Sequence, residues 1–293
     1  FISTPFFLFL FRRRISLRKG IVVSVFVLFF LILTSFMLYK FFGFLFPAIS
    51  FFVPYLSYGV ILAVRSYYKT ERKSKYLKET FEQYVAPQIV KEILQNPEKV
   101  NLSGERKFVS VLNLDIRGFT SMVANLSAET SVFILNELFS AWVPEIIERD
   151  GTLDKFTGDG LMAVFGAPLK IDDCYDRAVE ASFSILEKTK GKWQELRKKI
   201  KDLPEEIKIG IGISSGEVVA GNIGCKRHKE YTVIGDAANL AARLQELTKE
   251  YKKEIIIDSI TYDLTKKKEK FSFIGEVNIR GFEKKVAIYS NFN

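Results

Sequence analysis

Three short stretches of this chain carry the residue types of phosphate chemistry. The first is Val111-Leu-Asn-Leu-Asp115-Ile-Arg-Gly-Phe-Thr120, and the second is Leu153-Asp-Lys155-Phe-Thr-Gly-Asp159-Gly-Leu-Met-Ala-Val-Phe-Gly166. Each joins an apolar, strand-like run to an aspartate beside a glycine-containing turn. Two carboxylates at strand ends, with backbone N–H groups nearby, suit hard divalent cations that carry a phosphate chain. In the third stretch, Tyr231-Thr232-Val-Ile-Gly-Asp-Ala-Ala-Asn239-Leu-Ala-Ala-Arg243, a strand runs into a helix. Asn239 and Arg243 are four apart, so they share a helix face and can reach one ligand. Together the stretches point to a nucleoside triphosphate held by two metals, with a polar clamp on the reacting phosphate. Singly each is ordinary: Gly-Asp-Gly is a common hairpin turn, an Asp at a strand end is commonly a cap, and Asn and Arg one turn apart commonly face solvent. Order, spacing and flanks together carry the signal.

The elements that must position these residues form a regular series. A strand is expected over Phe108 to Leu114 and a helix over Ser127 to Glu148. A hairpin follows over Thr152 to Phe165, turning at Gly158-Asp159-Gly160, and then a long helix over Asp173 to Lys199. Two strands, Ile207 to Ser214 and Glu217 to Ile223, precede the strand at Tyr231 and the helix of Asn239 and Arg243. Strands at Glu254 to Asp258, Phe271 to Ile279 and Val286 to Tyr289 close the series. The β-α-β-β-α-β order predicts an α/β (α+β) fold with a ferredoxin-like, palm-type sheet and extra strands at its end.

The 293 residues have a net charge of +9, unevenly spread. Ile21 to Tyr39 is apolar and charge-free, and Phe41 to Val64 is a second such run, broken only by Pro47 and Pro54. The pair predicts a transmembrane helical hairpin within 20–64. Arg12, Arg13, Arg14, Arg18 and Lys19 precede it, and Arg65, Lys69, Arg72, Lys73, Lys75 and Lys78 follow it, which places both ends in the cytoplasm at a cell membrane. The basicity reads as membrane flanking, with no nucleic-acid partner. Residues 1–19 read as the end of a truncated upstream region, leaving room for an extracellular sensor. Residues 65–104 read as a helical linker whose stripe Leu77, Phe81, Tyr84 and Val85 suits a partner helix or docking onto its own domain. Residues 105–293 form the catalytic unit. A single histidine, His228, and two distant cysteines, Cys174 and Cys225, exclude a His-based metal cluster and a zinc site.

At the three motifs the sequence resembles the class III nucleotidyl cyclases. The family's strand ending Asp-Ile-x-Gly-Phe-Thr occurs at Asp115 to Thr120. Its Asp-Lys-Phe-x-Gly-Asp with an apolar tail occurs at Asp154 to Gly166, and its Gly-Asp-x-x-Asn-x-Ala-x-Arg at Gly235 to Arg243. The likeness runs from about Phe81 to Tyr289. It implies that Asp115 and Asp159 bind two Mg2+ or Mn2+ ions, with Ile116 in the metal set. It implies that Lys155 and Thr232 read the purine edge, that Asn239 orients the ribose, and that Arg243 stabilises the pentavalent α-phosphate. Phe119 and Thr120 join the substrate-binding set. Arg280 stands near the family's phosphate-binding lysine and reads equally well as a solvated strand charge. Thr232 replaces the Asp of many adenylyl cyclases, as in one branch of the family. Guanylyl cyclases usually carry Glu and Cys where this chain has Lys155 and Thr232, so the resemblance favours ATP and an adenylate cyclase making cyclic AMP in signal transduction. It further implies a homodimer, with the metal aspartates of one chain and the Lys, Thr, Asn and Arg set of the other at each site. A guanylate cyclase and a silent dimerising receptor domain are the competing readings, and the turn expected of a diguanylate cyclase is absent.

Overall fold

The computed structural model describes residues 17–43, 64–65, 67–69, 71–72, 104–201, 203–225, 228–282 and 284–292. The chain divides into two compact units, residues 1–80 and 81–293. In the first, helix α1 spans Leu17–Phe42. Its 26 residues extend about 39 Å at about 1.5 Å per residue. Phe26, Phe29, Phe30, Phe36 and Phe41 on it are all exposed. Residues 44–63, the bulk of the second expected span, and the stripe Leu77, Phe81, Tyr84 and Val85 lie outside the described residues, so the expected hairpin is not shown.

The second unit is built on an eight-stranded sheet. In chain order its elements are β1 (Glu105–Ile116), α2 (Phe119–Val123), α3 (Ala128–Ile147), β2 (Thr152–Phe156), β3 (Leu161–Phe165), α4 (Cys174–Lys199), β4 (Ile209–Cys225), β5 (His228–Ile234), α5 (Asp236–Glu250), β6 (Ile255–Asp258), α6 (Ser259–Leu264), β7 (Phe271–Val277) and β8 (Val286–Asn291). The strand order is β2-β3-β1-β4-β6-β8-β7, with β5 also paired to β4. The first four strands give the expected palm order, β1 lying antiparallel between β3 and β4. Helix α3 begins where Ser127 accepts the Thr130 N–H at 3.1 Å, an N-cap bond that satisfies one of the helix's free donors.

Alternation along β1 separates two cores. Leu112, Leu114 and Ile116 pack with Leu138 and Trp142 of α3 and Val179 and Ile185 of α4. Val109 and Val111 face the other way, toward Ala237 and Ala241 of α5. Asp115 shares this second face, which is the one that α5 covers.

The expected break between two strands at Ser214 to Glu217 does not exist: β4 runs unbroken from Ile209 to Cys225. Ser-Ser-Gly reads as a turn when its polar groups have nowhere to go, but here they are satisfied inside the sheet. Ser215 Oγ lies 2.7 Å from Ser110 Oγ and 2.8 Å from Thr261 Oγ1, and Ser214 donates to Asp258 at 2.8 Å. The glycines of β4 instead admit α5. A Cβ at Gly212 would lie 2.2 Å from the Ala241 carbonyl, and one at Gly210 would lie 2.1 Å from Thr248 Oγ1. Gly212→Ala is therefore expected to push α5 off the sheet and cost about 1–3 kcal/mol. Gly191→Ala on α4, where an added Cβ meets nothing within 4 Å, should be neutral or stabilising. Urea unfolding of the two variants checks the contrast; equal stabilities would refute the close approach of α5.

Candidate active site

The hairpin between β2 and β3 places Asp159 against Asp115. Gly158 adopts φ +78, in the region that only glycine enters readily. Gly160 is closer to necessity: a Cβ there would meet the Leu114 carbonyl oxygen at 2.1 Å. The Thr157 N–H closes the turn on the Gly160 carbonyl at 2.9 Å. The Gly-Asp-Gly run is thus a turn pressed against the end of β1, which brings the Asp159 carboxylate close enough to Asp115 to act on its charge. Asp115 lies within β1, half-buried, one residue further into the strand than the expected boundary. Its carboxyl is pushed up to about 6, first by burial and then by the charge and hydrogen bond of Asp159. Such a pair is short of positive charge, which fits a divalent cation. Among the described residues no group of three or more acidic, histidine or cysteine side chains could hold a metal. Two carboxylates fit an ion that takes its remaining oxygens from a nucleotide's phosphates. Ile116 is 1% exposed, so only its backbone could join them.

In the loop after β1, Phe119 is 8% exposed with its side chain packed in the core, so that only its backbone could meet a ligand, while Thr120 is exposed. Arg117 was not singled out by its sequence. Its guanidinium is half-buried and donates to the carbonyls of Thr248, at 2.7 Å, and of Lys253, tying the β1 end to the last turn of α5.

A second cluster joins β2 to β5. The β2–β3 register shifts between Leu153 and Lys155, making Asp154 a bulge residue. A bulge re-aims side chains, so two consecutive residues can serve one place. Asp154 Oδ2 accepts the Thr232 hydroxyl at 3.0 Å. Lys155 Nζ lies 3.2 Å from Glu230 Oε2 and 3.6 Å from Asp154 Oδ2. Thr232 and Glu230 are two apart on β5 and share its face. Burial raises the Asp154 carboxyl, opposed by Thr232 and Lys155. Burial alone would lower the Lys155 ammonium, but the Glu230 and Asp154 carboxylates outweigh it and raise it. The structure therefore brings together the expected Lys155 and Thr232 and adds Asp154 and Glu230. Strand alternation points Asp154 and Lys155 to opposite faces, which is why sequence reasoning missed the pair.

Helix α5 carries Asn239 and Arg243, both exposed. At about 100° per residue they fall on the side opposite Ala237, Ala241 and Thr248, which face the sheet. Arg243 is ion-paired with Glu246 at 2.8 Å. Arg280 lies exposed in the turn after β7, not on a strand, because β7 ends at Val277.

Comparison with known proteins bears on this arrangement. Residues 103–290 match the family described as Adenylate and Guanylate cyclase catalytic domain. Uncharacterized protein Rv1319c of Mycobacterium tuberculosis is 36% identical over 188 residues, and Rv1320c of the same organism is 34% identical over 195. These matches take in 64% and 66% of this chain but only about a third of either relative, 33% and 32%. Among solved structures, the guanylyl cyclase Cya2 shares 31% identity with a TM-score of 0.58, covering 65% of this chain and 94% of that one. The adenylyl cyclase CyaB from P. aeruginosa shares 30% with a TM-score of 0.59, covering 66% and 97%.

Proposed function

The chain belongs to the adenylate and guanylate cyclase catalytic domain family, and from that premise we propose that it is a membrane-anchored adenylate cyclase, converting ATP to 3′,5′-cyclic AMP and pyrophosphate as a homodimer. Both adenylyl and guanylyl cyclases are among its structural neighbours. The reading for ATP rests on Lys155 beside a Thr232 hydroxyl that is already donating to Asp154. An ammonium donor and a hydroxyl lone pair complement the ring nitrogen and exocyclic amino group of adenine.

Class III cyclases generally use divalent metals. Two such ions, held by Asp115 and Asp159 with the Ile116 backbone, would supply activation of the ribose 3′-hydroxyl and neutralise charge on the phosphate oxygens. Asn239 orients the ribose for in-line attack on the α-phosphorus. Arg243, released from Glu246, presents a fixed guanidinium to the charge that develops there, an effect commonly of about 3–4 kcal/mol. Thr120 offers an exposed hydroxyl to the phosphate chain. Arg280, exposed on its turn, is assigned the same region by resemblance alone.

The dimer has a geometric support. Asp115 lies on the sheet face beneath α5, whereas Asn239 and Arg243 lie on the far side of that helix. One nucleotide is served more directly by the aspartates of one copy and the clamp of another. Membrane anchoring rests on the exposed apolar side chains of α1 and on the second charge-free run, Phe41 to Val64. An extracellular sensor upstream is compatible with that topology.

One experiment tests both parts. Membranes carrying the full chain are washed with alkaline carbonate and assayed with ATP or GTP and Mn2+ or Mg2+. Activity should stay in the pellet and yield cyclic AMP. Cyclic GMP as main product would sink the adenylate reading, and release of the protein by carbonate would sink the anchor.

A metal test follows from the carboxylate pair. Asp115 is raised from 3.8 to about 6 by folding. The stability contributed by its proton is full below about 3.8 and lost as the pH rises through about 6. A divalent ion would substitute for that proton. Millimolar Mn2+ should therefore raise the thermal midpoint by at least about 2 °C near neutral pH and very little near pH 4.5. Asp115→Asn should abolish the neutral-pH shift; an undiminished shift in that variant would place the ion elsewhere.

A further inference from the structure

We infer that Asp154 is a specificity-determining positioning residue, which locks the Thr232 hydroxyl so that only its lone pairs face the purine. This deepens the adenylate reading and rests on it. A threonine hydroxyl can donate or accept, so by itself it cannot tell the 6-amino group of adenine from the 6-oxo group of guanine. The ambiguity disappears if the hydroxyl proton is already engaged. Asp154 engages it: its side chain is 3% exposed, and Oδ2 accepts from Thr232 Oγ1 at 3.0 Å.

The bulge explains how the residue reaches its place. In a regular strand Asp154 and Lys155 would point to opposite faces. The register shift at Leu153/Lys155 lets both address the Thr232 face of β5. Lys155 Nζ, 3.6 Å from the same Oδ2, favours the charged, acceptor-only form of the carboxylate. The lysine is in turn held by Glu230 at 3.2 Å. Lys155 remains a donor to the base, and Thr232 is left as an acceptor. A 6-oxo purine would then set its oxygen against a lone pair that cannot turn away without stripping a hydrogen bond from a buried carboxylate.

Asp154→Asn breaks the lock, because a carboxamide can donate to Thr232 Oγ1 and turn the hydroxyl proton toward the base. The ratio of kcat/KM for ATP to that for GTP should fall by at least about tenfold, mainly through the KM for ATP. Thr232→Ser should keep the ratio within about threefold of wild type, and Thr232→Val should lower it as Asp154→Asn does. In the Thr232→Val background, Asp154→Asn should have no further effect on the ratio. Equal losses for both nucleotides in Asp154→Asn, leaving the ratio unchanged, would reduce Asp154 to a structural residue and overturn the inference. Wild-type protein gives a test that needs no folded Asp154 variant. Purine riboside triphosphate, which lacks the 6-amino group, should be used at least about tenfold less well than ATP by wild type and equally well by Thr232→Val. Equal use of both nucleotides by wild type would also overturn the inference. A wild-type preference for GTP would by itself sink the adenylate reading, whereas an unchanged ratio in Asp154→Asn sinks the role of Asp154 whichever base wild type prefers.

Discussion

Asp115→Ala or Asp159→Ala is expected to lower cyclic-nucleotide turnover by at least about a hundredfold, the largest single-residue effect in this protein. On the proposed two-metal reading, each substitution would remove one of the two charged ligands that hold the ions activating the nucleophile and steadying the leaving group. The fold should survive both. Asp159 sits on a turn whose shape depends on Gly158 and Gly160, not on its own side chain. Asp115 is half-buried beside a like charge, so its loss removes a repulsion from the ion-free protein. Unchanged circular dichroism with lost activity is the expected pair of results. Near-wild-type turnover in either purified variant would remove the carboxylate pair from the chemistry.

Coexpression of Asp159→Ala with Arg243→Ala should restore activity that neither variant has alone. As homodimers, the first lacks a metal ligand at both sites and the second lacks the phosphate clamp at both. In a mixed dimer one interface collects both substitutions and the other collects neither. Equal mixing gives about half heterodimers, each with one intact site, so activity should recover to about a quarter of wild type if the sites act independently. A chain holding its own complete site predicts no recovery at any ratio. Absence of recovery in verified heterodimers would rule out the shared site. The position of Asn239 and Arg243 on the far side of α5 would then have no bearing on assembly.

The candidate residues for the chemistry were legible in the chain itself. Two aspartates at strand ends, a lysine shortly before a Gly-Asp-Gly turn, and an Asn and Arg one helical turn apart are local patterns, and spacing alone puts them on strands, turns and a helix face. The palm order of strands was legible for the same reason, since hydrophobic period and turn residues are local properties. Helix α6 had a local signal too, the Asp258 cap that accepts the Thr261 N–H at 2.9 Å, but its short length hid it.

Other features depend on contacts between distant segments. Ser214 to Gly216 continues β4 because Ser110, Asp258 and Thr261 arrive from elsewhere in the chain to satisfy its hydroxyls. The Phe119 side chain packs into the core because the chain after Gly118 turns back onto the α3 and α4 side of the sheet. Arg117 became a clamp only because the end of α5 came to rest over Gly210. Asp154 joined Lys155 at Thr232 through a bulge, a register event between paired strands that leaves no periodic trace in either one. Residue type and spacing therefore determined which groups could act. The tertiary structure decided which of them share a proton, a face or a partner, because those relations are set by pairing and packing between segments that the sequence keeps far apart.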